Sequence, residues 1–157
     1  MKELTITTDG ACLSNPGPGG WAALLKFGPH EKVHSGHELQ STNNRMELKA
    51  VIEGLRLLKE PCSVTLVVDS RYVMDAFEKG WILNWRNNGW KTADKKPVKN
   101  QELWEDLYAV SLSHTIRWVW VKGHNGHPDN ERVDQAAQAE AYKAKALVAS
   151  AQSNEIG

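Results

Sequence analysis

The sequence predicts an α/β domain: a five-stranded mixed sheet, three antiparallel strands followed by parallel ones, with helices on both faces. Three observations point there. The N-terminal stretch alternates apolar and polar residues around turn-forming clusters, as half-buried antiparallel strands do. Val64 to Val68 is an almost unbroken, largely β-branched run, the pattern of a parallel strand covered on both faces. Between and after these strands, apolar residues recur at helical spacing.

Leu4 and Ile6 face one way against Glu3, Thr5 and Thr7, and Asp9 closes this first strand. The cluster Asn15-Pro16-Gly17-Pro18-Gly19-Gly20 makes the turn into a returning strand over 21–27. A third strand is predicted over about 32–40. Thr42, Asn43 and Asn44 offer cap residues for a helix of about four turns that carries Leu48, Val51, Ile52, Leu55 and Leu58. The strand at 64–68 ends in Asp69, and Ser70 can cap the next helix, which runs to about Lys79. A basic segment over 79–99 comes next, followed by a helix capped by Asn100 and a strand over 115–121. Pro128 suits the first turn of a last helix, which holds Asp134. Helical sequence fades after about Ala149, leaving a frayed tail over 150–157. The 157 residues form a single domain without repeat or linker.

Composition narrows the function classes. With 41% apolar and 24% charged residues and a mean hydropathy of −0.51, the chain is globular rather than disordered. No apolar run approaches the roughly 20 residues of a membrane helix. The N-terminus lacks the basic and apolar regions of a signal peptide, so a cytoplasmic protein, monomeric and without a membrane partner, is expected. Cys12 and Cys62 stand at neither metal nor redox spacing and read as small buried hydrophobes. The 19 basic and 19 acidic residues balance, but unevenly: between Lys79 and Lys99 six cations meet one acid, Asp94.

Most helical acids are solvated surface charges with a cation nearby. Glu47 and Asp134 are not. Glu47 has Asn43, Asn44, Ala50 and Val51 three and four residues away, and Asp134 has Asn130, Glu131, Ala137 and Gln138. For Glu47 a second reading stays open: as the third residue after Asn44 it would close a capping box and do nothing else. Asp9 and Asp69 end strands that are expected to pair as neighbours. Carboxylates converging without lysine or arginine repel, and a fold resolves this by protonation or a bound cation. Oxygen-only ligands select Mg²⁺ or Mn²⁺, and two such ions about 4 Å apart suit displacement at phosphorus. The pair His124 and His127 lacks the thiolates and helical spacing of a zinc site. His124, between Gly123 and Gly126, is instead suited to moving protons or loosening a metal. The glycines over 17–20 form no P-loop, since no Gly-Lys-Ser/Thr follows.

In the basic segment, Trp81, Trp85 and Trp90 lie among Lys79, Arg86, Lys91, Lys95 and Lys96. Trp85 is expected to pack the segment on itself. The cations form an electrostatic footprint for phosphates, and a tryptophan beside them suits a sugar or base. Acids for a bond and a basic arm for a strand together indicate a polynucleotide substrate.

Thr8-Asp9-Gly10-Ala11-Cys12, Asn15-Pro16-Gly17-Pro18-Gly19-Gly20-Trp21, Thr42-Asn43-Asn44-Arg45-Met46-Glu47-Leu48, Val68-Asp69-Ser70, Gly89-Trp90-Lys91-Thr92-Ala93-Asp94-Lys95-Lys96-Pro97-Val98 and Trp120-Val121-Lys122-Gly123-His124 together resemble the bacterial type 1 ribonucleases H, ribonuclease HI. The match spans about Leu4 to Ala141. The resemblance implies a ribonuclease H-like fold and an endonuclease that cuts the RNA strand of an RNA/DNA hybrid. Its products would carry 5′-phosphate and 3′-hydroxyl ends, and its cofactor would be Mg²⁺ or Mn²⁺, two ions with substrate bound. It implies that Asp9 bridges the metals, that Glu47 and Asp69 hold the one near the nucleophile and product side, that Asp134 completes the second and that His124 aids proton transfer or product departure. It also implies contacts to the RNA from Asn15, Asn43 and Asn44, near Cys12 and Glu47. Thr42 and Asn84 would hold a DNA phosphate, Trp81 would pack on deoxyribose, and Lys91, Lys95 and Lys96 would belong to a basic protrusion over about 79–99. Three departures stand out: Gln40 where the phosphate pocket often has arginine, the weakly basic Arg86-Asn87-Asn88, and Gly80, which lengthens the junction into the protrusion. A non-catalytic hybrid- or duplex-binding module of the same fold is the alternative.

Overall fold

The computed structural model describes residues 1–122 and 127–156, and the backbone alone over 153–156. Its elements are β1 (Lys2–Cys12), β2 (Gly17–Phe27), β3 (His30–Ser41), α1 (Asn43–Arg56), β4 (Cys62–Val68), α2 (Arg71–Glu78), α3 (Trp81–Asn87), α4 (Gln101–Ser111), β5 (Thr115–Trp120) and α5 (Pro128–Ile156). The strands form one sheet in the order β3-β2-β1-β4-β5. β1, β2 and β3 pair antiparallel, while β4 runs parallel to both β1 and β5. This is the predicted mixed sheet.

One face carries the main core. Ile6, Val64 and Leu66 of the sheet meet Leu48, Ile52 and Leu55 of α1 and Trp104 and Leu107 of α4, all almost fully buried. Each such aliphatic side chain contributes about 1.5–3 kcal/mol by leaving water. The other face is covered by α5, through Val133 and Ala137 against Ala22 and Leu24. Small residues let that helix lie close: a Cβ on Gly20 would sit 2.1 Å from the Ala137 carbonyl oxygen. Among the described residues, no helix is long and apolar enough to cross a membrane.

Four expectations need correction. Asp9 does not close β1, which runs on to Cys12 because its pairing with β2 continues to Cys12 opposite Gly19. The cap of α1 is Thr42, whose Oγ1 accepts the Arg45 N–H at 3.2 Å, so Asn44 heads no capping box. Ser70 and Asn100 occupy cap positions, yet neither side chain makes a capping bond. Finally, α5 continues through Ile156 rather than fading after Ala149, since no proline or glycine interrupts the sequence before Gly157. The basic segment holds a helix of its own, α3, entered through Gly80 in the left-handed region at φ 72°.

β4 begins with a bond that depends on protonation. The Cys62 N–H donates to Nδ1 of His114 at 3.1 Å, and burial lowers the His114 pKa. Only a neutral imidazole accepts this bond. Since the unfolded chain takes up the proton first, His114 withdraws stability as pH falls below its unfolded value of about 6.5. The stability gap between the wild type and His114→Gln is therefore expected to narrow between about pH 7.5 and about pH 5, as read by urea unfolding.

Candidate active site

At one end of the sheet the parallel register of β1 with β4 stops at Thr7 opposite Val67, while β1 continues against β2. Asp9 lies just past that point, and Asp69 follows the last residue of β4. Neighbouring parallel strands therefore deliver two carboxylates side by side, where open α/β sheets place their sites.

Gly10 brings in the third. A Cβ there would lie 2.5 Å from the Glu47 backbone nitrogen, so α1 can approach β1 only over glycine. With Thr42 as cap, Glu47 falls in the second turn of α1 and is not needed at the helix terminus. A carboxylate oxygen from each of Asp9, Glu47 and Asp69 lies within 4.8 Å of the other two. Asp134, half-buried on α5, comes within hydrogen-bonding reach of Asp9. Gln138 donates to both of its oxygens, at 3.3 and 3.2 Å.

Burial, and then the Asp69 and Asp134 carboxylates, push Asp9 up to about 8. Asp9 is only 3% exposed, and its Oδ1 accepts the Gly10 N–H at 2.9 Å. Glu47 is raised well above the carboxylate range by burial and by Asp9 and Asp69. Among the described residues, Asp9, Glu47 and Asp134 join no salt bridge to a lysine or arginine. An all-oxygen donor set with excess negative charge fits a hard divalent cation such as Mg²⁺ or Mn²⁺.

The polar residues expected to contact nucleic acid gather around the start of α1. Asn15 Oδ1 accepts the Asn43 N–H at 3.1 Å, and its amide NH₂ can still donate. The Cys12 thiol donates to the carbonyls of Gly17 and Ser41, at 3.3 and 3.4 Å, tying β1 to β2 and β3. Cys12 is half-buried and Cys62 buried, and both are free thiols. Asn43 and Asn44 are exposed, as is Gln40.

Trp81 and Asn84 stand one turn apart on α3. A groove of about 710 Å³ joins this helix to α1, lined by Asn44, Tyr72, Trp81, Trp85 and Lys96 among others. Trp85 packs on Trp81 within the segment, as expected, with ring centroids 6.4 Å apart, but lies nearer to Trp104 of α4, outside the segment, at 5.5 Å. Beyond α3 the chain folds back on itself: Val98 N–H donates to the Trp90 carbonyl at 3.0 Å and Thr92 N–H to Lys96 at 2.8 Å. Lys91, Lys95 and Lys96 are exposed and form no ion pair among the described residues, whereas Lys79 pairs with Asp75 at 3.7 Å. Asp75 shares its one charge between Lys79 and Arg71. His124 lies outside the described residues.

Arg45 escapes the sequence reading. Its guanidinium reaches Glu38 of β3 at 3.3 Å, Glu102 of α4 at 2.5 Å and the Asn100 side chain at 3.4 Å. It ties the start of α1 to the base of the basic segment. No local spacing signals this, because the partners on α4 are more than fifty residues away in sequence.

A family model described as RNase H matches residues 1–142. The Ribonuclease H of Thermus thermophilus is 59% identical over 140 residues, covering 89% of this chain and 84% of that protein. That of Novosphingobium aromaticivorans is 57% identical over 144 residues, 92% of this chain and 100% of its own. The crystal structure of LC9-RNase H1, a type 1 RNase H with the type 2 active-site motif, superposes with a TM-score of 0.82 at 29% identity, covering 91% of this chain and 74% of that one. LC11-RNase H1, solved in complex with an RNA/DNA hybrid, has the same fold at a TM-score of 0.65 and 20% identity, with coverages of 90% and 98%.

A carboxyl whose folded pKa is raised withdraws stability as pH climbs from its unfolded value, about 4, to its folded one. Asp9→Asn is therefore expected to raise the Tm in EDTA more at pH 8 than at pH 5, with Asp9 at about 8 setting the window. Added Mg²⁺ is expected to raise the wild-type Tm more than that of Asp9→Asn. Differential scanning calorimetry reads both.

Proposed function

The chain belongs to the RNase H family, and from that premise we propose that it hydrolyses the RNA strand of RNA/DNA hybrids as an endonuclease, leaving 5′-phosphate and 3′-hydroxyl ends. The supporting observation is the convergence of the Asp9, Glu47 and Asp69 oxygens within 4.8 Å, with Asp134 beside Asp9. In this reading the four acids hold two divalent cations, Mg²⁺ or Mn²⁺, once substrate is bound. Such a pair activates a water and stabilises the leaving oxygen at phosphorus. His124 would carry a proton or ease product departure.

The remaining groups position the strand. Amides are donor and acceptor at once, which suits the 2′-hydroxyl, and the exposed Asn15, Asn43 and Asn44 would supply them. Cys12 shapes that surface by holding β1, β2 and β3 together. Thr42, whose hydroxyl oxygen already accepts the Arg45 N–H, keeps its O–H to donate to a DNA phosphate, with Asn84 as partner. Gln40 supplies no charge-assisted contact there. Trp81 offers a face for deoxyribose, and Lys91, Lys95 and Lys96 follow the backbone. We read the protein as a cytoplasmic monomer, one domain with a basic protrusion over about 79–99. A non-catalytic binding module is the weaker reading: crowded carboxylates raise the energy of the fold and repel phosphates, so binding alone gains nothing from them.

Cleavage of a labelled RNA/DNA hybrid is expected with Mg²⁺ or Mn²⁺ and none with EDTA, while a DNA duplex stays intact. Asp9→Asn and Asp69→Asn should each lose more than the ~10–100-fold typical of residues one layer away from a metal; retention within a few-fold would refute the metal assignment. Replacing Lys95 and Lys96 with alanine is expected to raise KM, leave kcat nearly unchanged and reduce the salt slope of binding by about two.

A further inference from the structure

Trp120, the last residue of β5, is 40% exposed, although an indole gains most from burial. Its register partner on β4 is Val68, directly before Asp69. The indole Nε1–H donates to the main-chain carbonyl oxygen of Asp69 at 3.1 Å. The guanidinium of Arg71 lies over the indole ring, 5.1 Å from its centroid, and also reaches Asp75 at 3.5 Å. The turn from β4 into α2 carries Asp69, and at its cap position the Ser70 side chain makes no capping bond. A side chain from the neighbouring strand therefore grips this turn from outside, and a residue of α2 covers the gripping ring.

From this arrangement we propose that Trp120 is a positioning residue for the divalent-cation site: its indole N–H fixes the Asp69 main chain and thereby aims the Asp69 carboxylate, while Arg71 holds the indole in place. The proposal rests on the reading of Asp69 as a metal ligand. It concerns a layer outside the acids themselves, where partners that orient ligands govern affinity as strongly as some ligands do. An exposed tryptophan at a nucleic-acid surface invites a different assignment, a stacking contact with substrate. The two differ in what they move: a positioning role changes cation binding in the absence of substrate, and a stacking role changes KM for the hybrid.

Trp120→Phe keeps an aromatic ring under Arg71 and removes the N–H. Calorimetric titration of the substrate-free protein with Mn²⁺ is expected to show binding weakened by about tenfold. The Mn²⁺ concentration for half-maximal hybrid cleavage should rise in parallel, while KM for the hybrid stays within about twofold and circular dichroism shows the native fold. An unchanged Mn²⁺ isotherm overturns the proposal, whether KM rises, as stacking requires, or stays the same. Should Trp120→Phe fail to fold, Arg71→Gln carries the test: it leaves the N–H and strips the cation from the ring, and about a threefold weakening of Mn²⁺ binding is expected. An unchanged isotherm for that variant likewise overturns the proposal. Because the calorimetry needs no substrate, its outcome is separate from the hybrid nuclease reading, which fails if the wild type binds Mn²⁺ but cuts no hybrid.

Discussion

Two unit charges 4 Å apart repel by about 4 kcal/mol where the effective dielectric is near 20, and Asp9, Glu47 and Asp69 are held at such separations. No local preference of the chain would bring them there. The parallel pairing of β1 with β4 sets Asp9 beside Asp69, the bare backbone of Gly10 admits α1 and with it Glu47, and Gly20 admits α5 and with it Asp134. The apolar contacts of α1 with β1 and β4, and of α5 with β2, hold against the repulsion. Burial, and after it this crowding, raises the pKa values of Asp9 and Glu47.

The surroundings answer to the same constraint. Thr42 caps α1, so Glu47 has no duty at the helix terminus. Asn15 reaches across to the first N–H of α1 and so links the turn before β2 to the helix that carries Glu47. Arg45 extends that link to α4 and Asn100, at the end of the basic segment. Arg45, two residues before Glu47, is turned to Glu38 and Glu102 instead.

How much of this is legible in the sequence depends on whether a signal is local. Strand alternation and the β-branched run over 64–68 are local, and they lead to the right sheet. The absence of a cation three or four positions from Glu47 and Asp134 is local too, and it marks two acids that the fold brings to the end of the sheet where Asp9 and Asp69 lie. The end of β1 is not, because it is decided by pairing with β2 as far as Cys12. The choice of Thr42 over Asn44 as cap is not, because all three candidate cap residues have similar intrinsic preference and tertiary packing decides among them. The links of Arg45 to α4 and of Trp120 to Asp69 join residues some fifty positions apart, which no spacing rule reaches. The pairing of Lys79 with Asp75 is a helical i,i+4 pair and stands in the sequence, with Asp75 four residues before the basic segment begins.

The hairpin of the basic segment closes on its own backbone bonds, from Val98 to Trp90 and from Thr92 to Lys96, and is anchored below by Trp85 on Trp104. Lys91, Lys95 and Lys96 project from that frame without supporting it. Surface residues of the arm can therefore be exchanged without disturbing its frame, while the carboxylates on the far side of the Arg45 junction keep their arrangement.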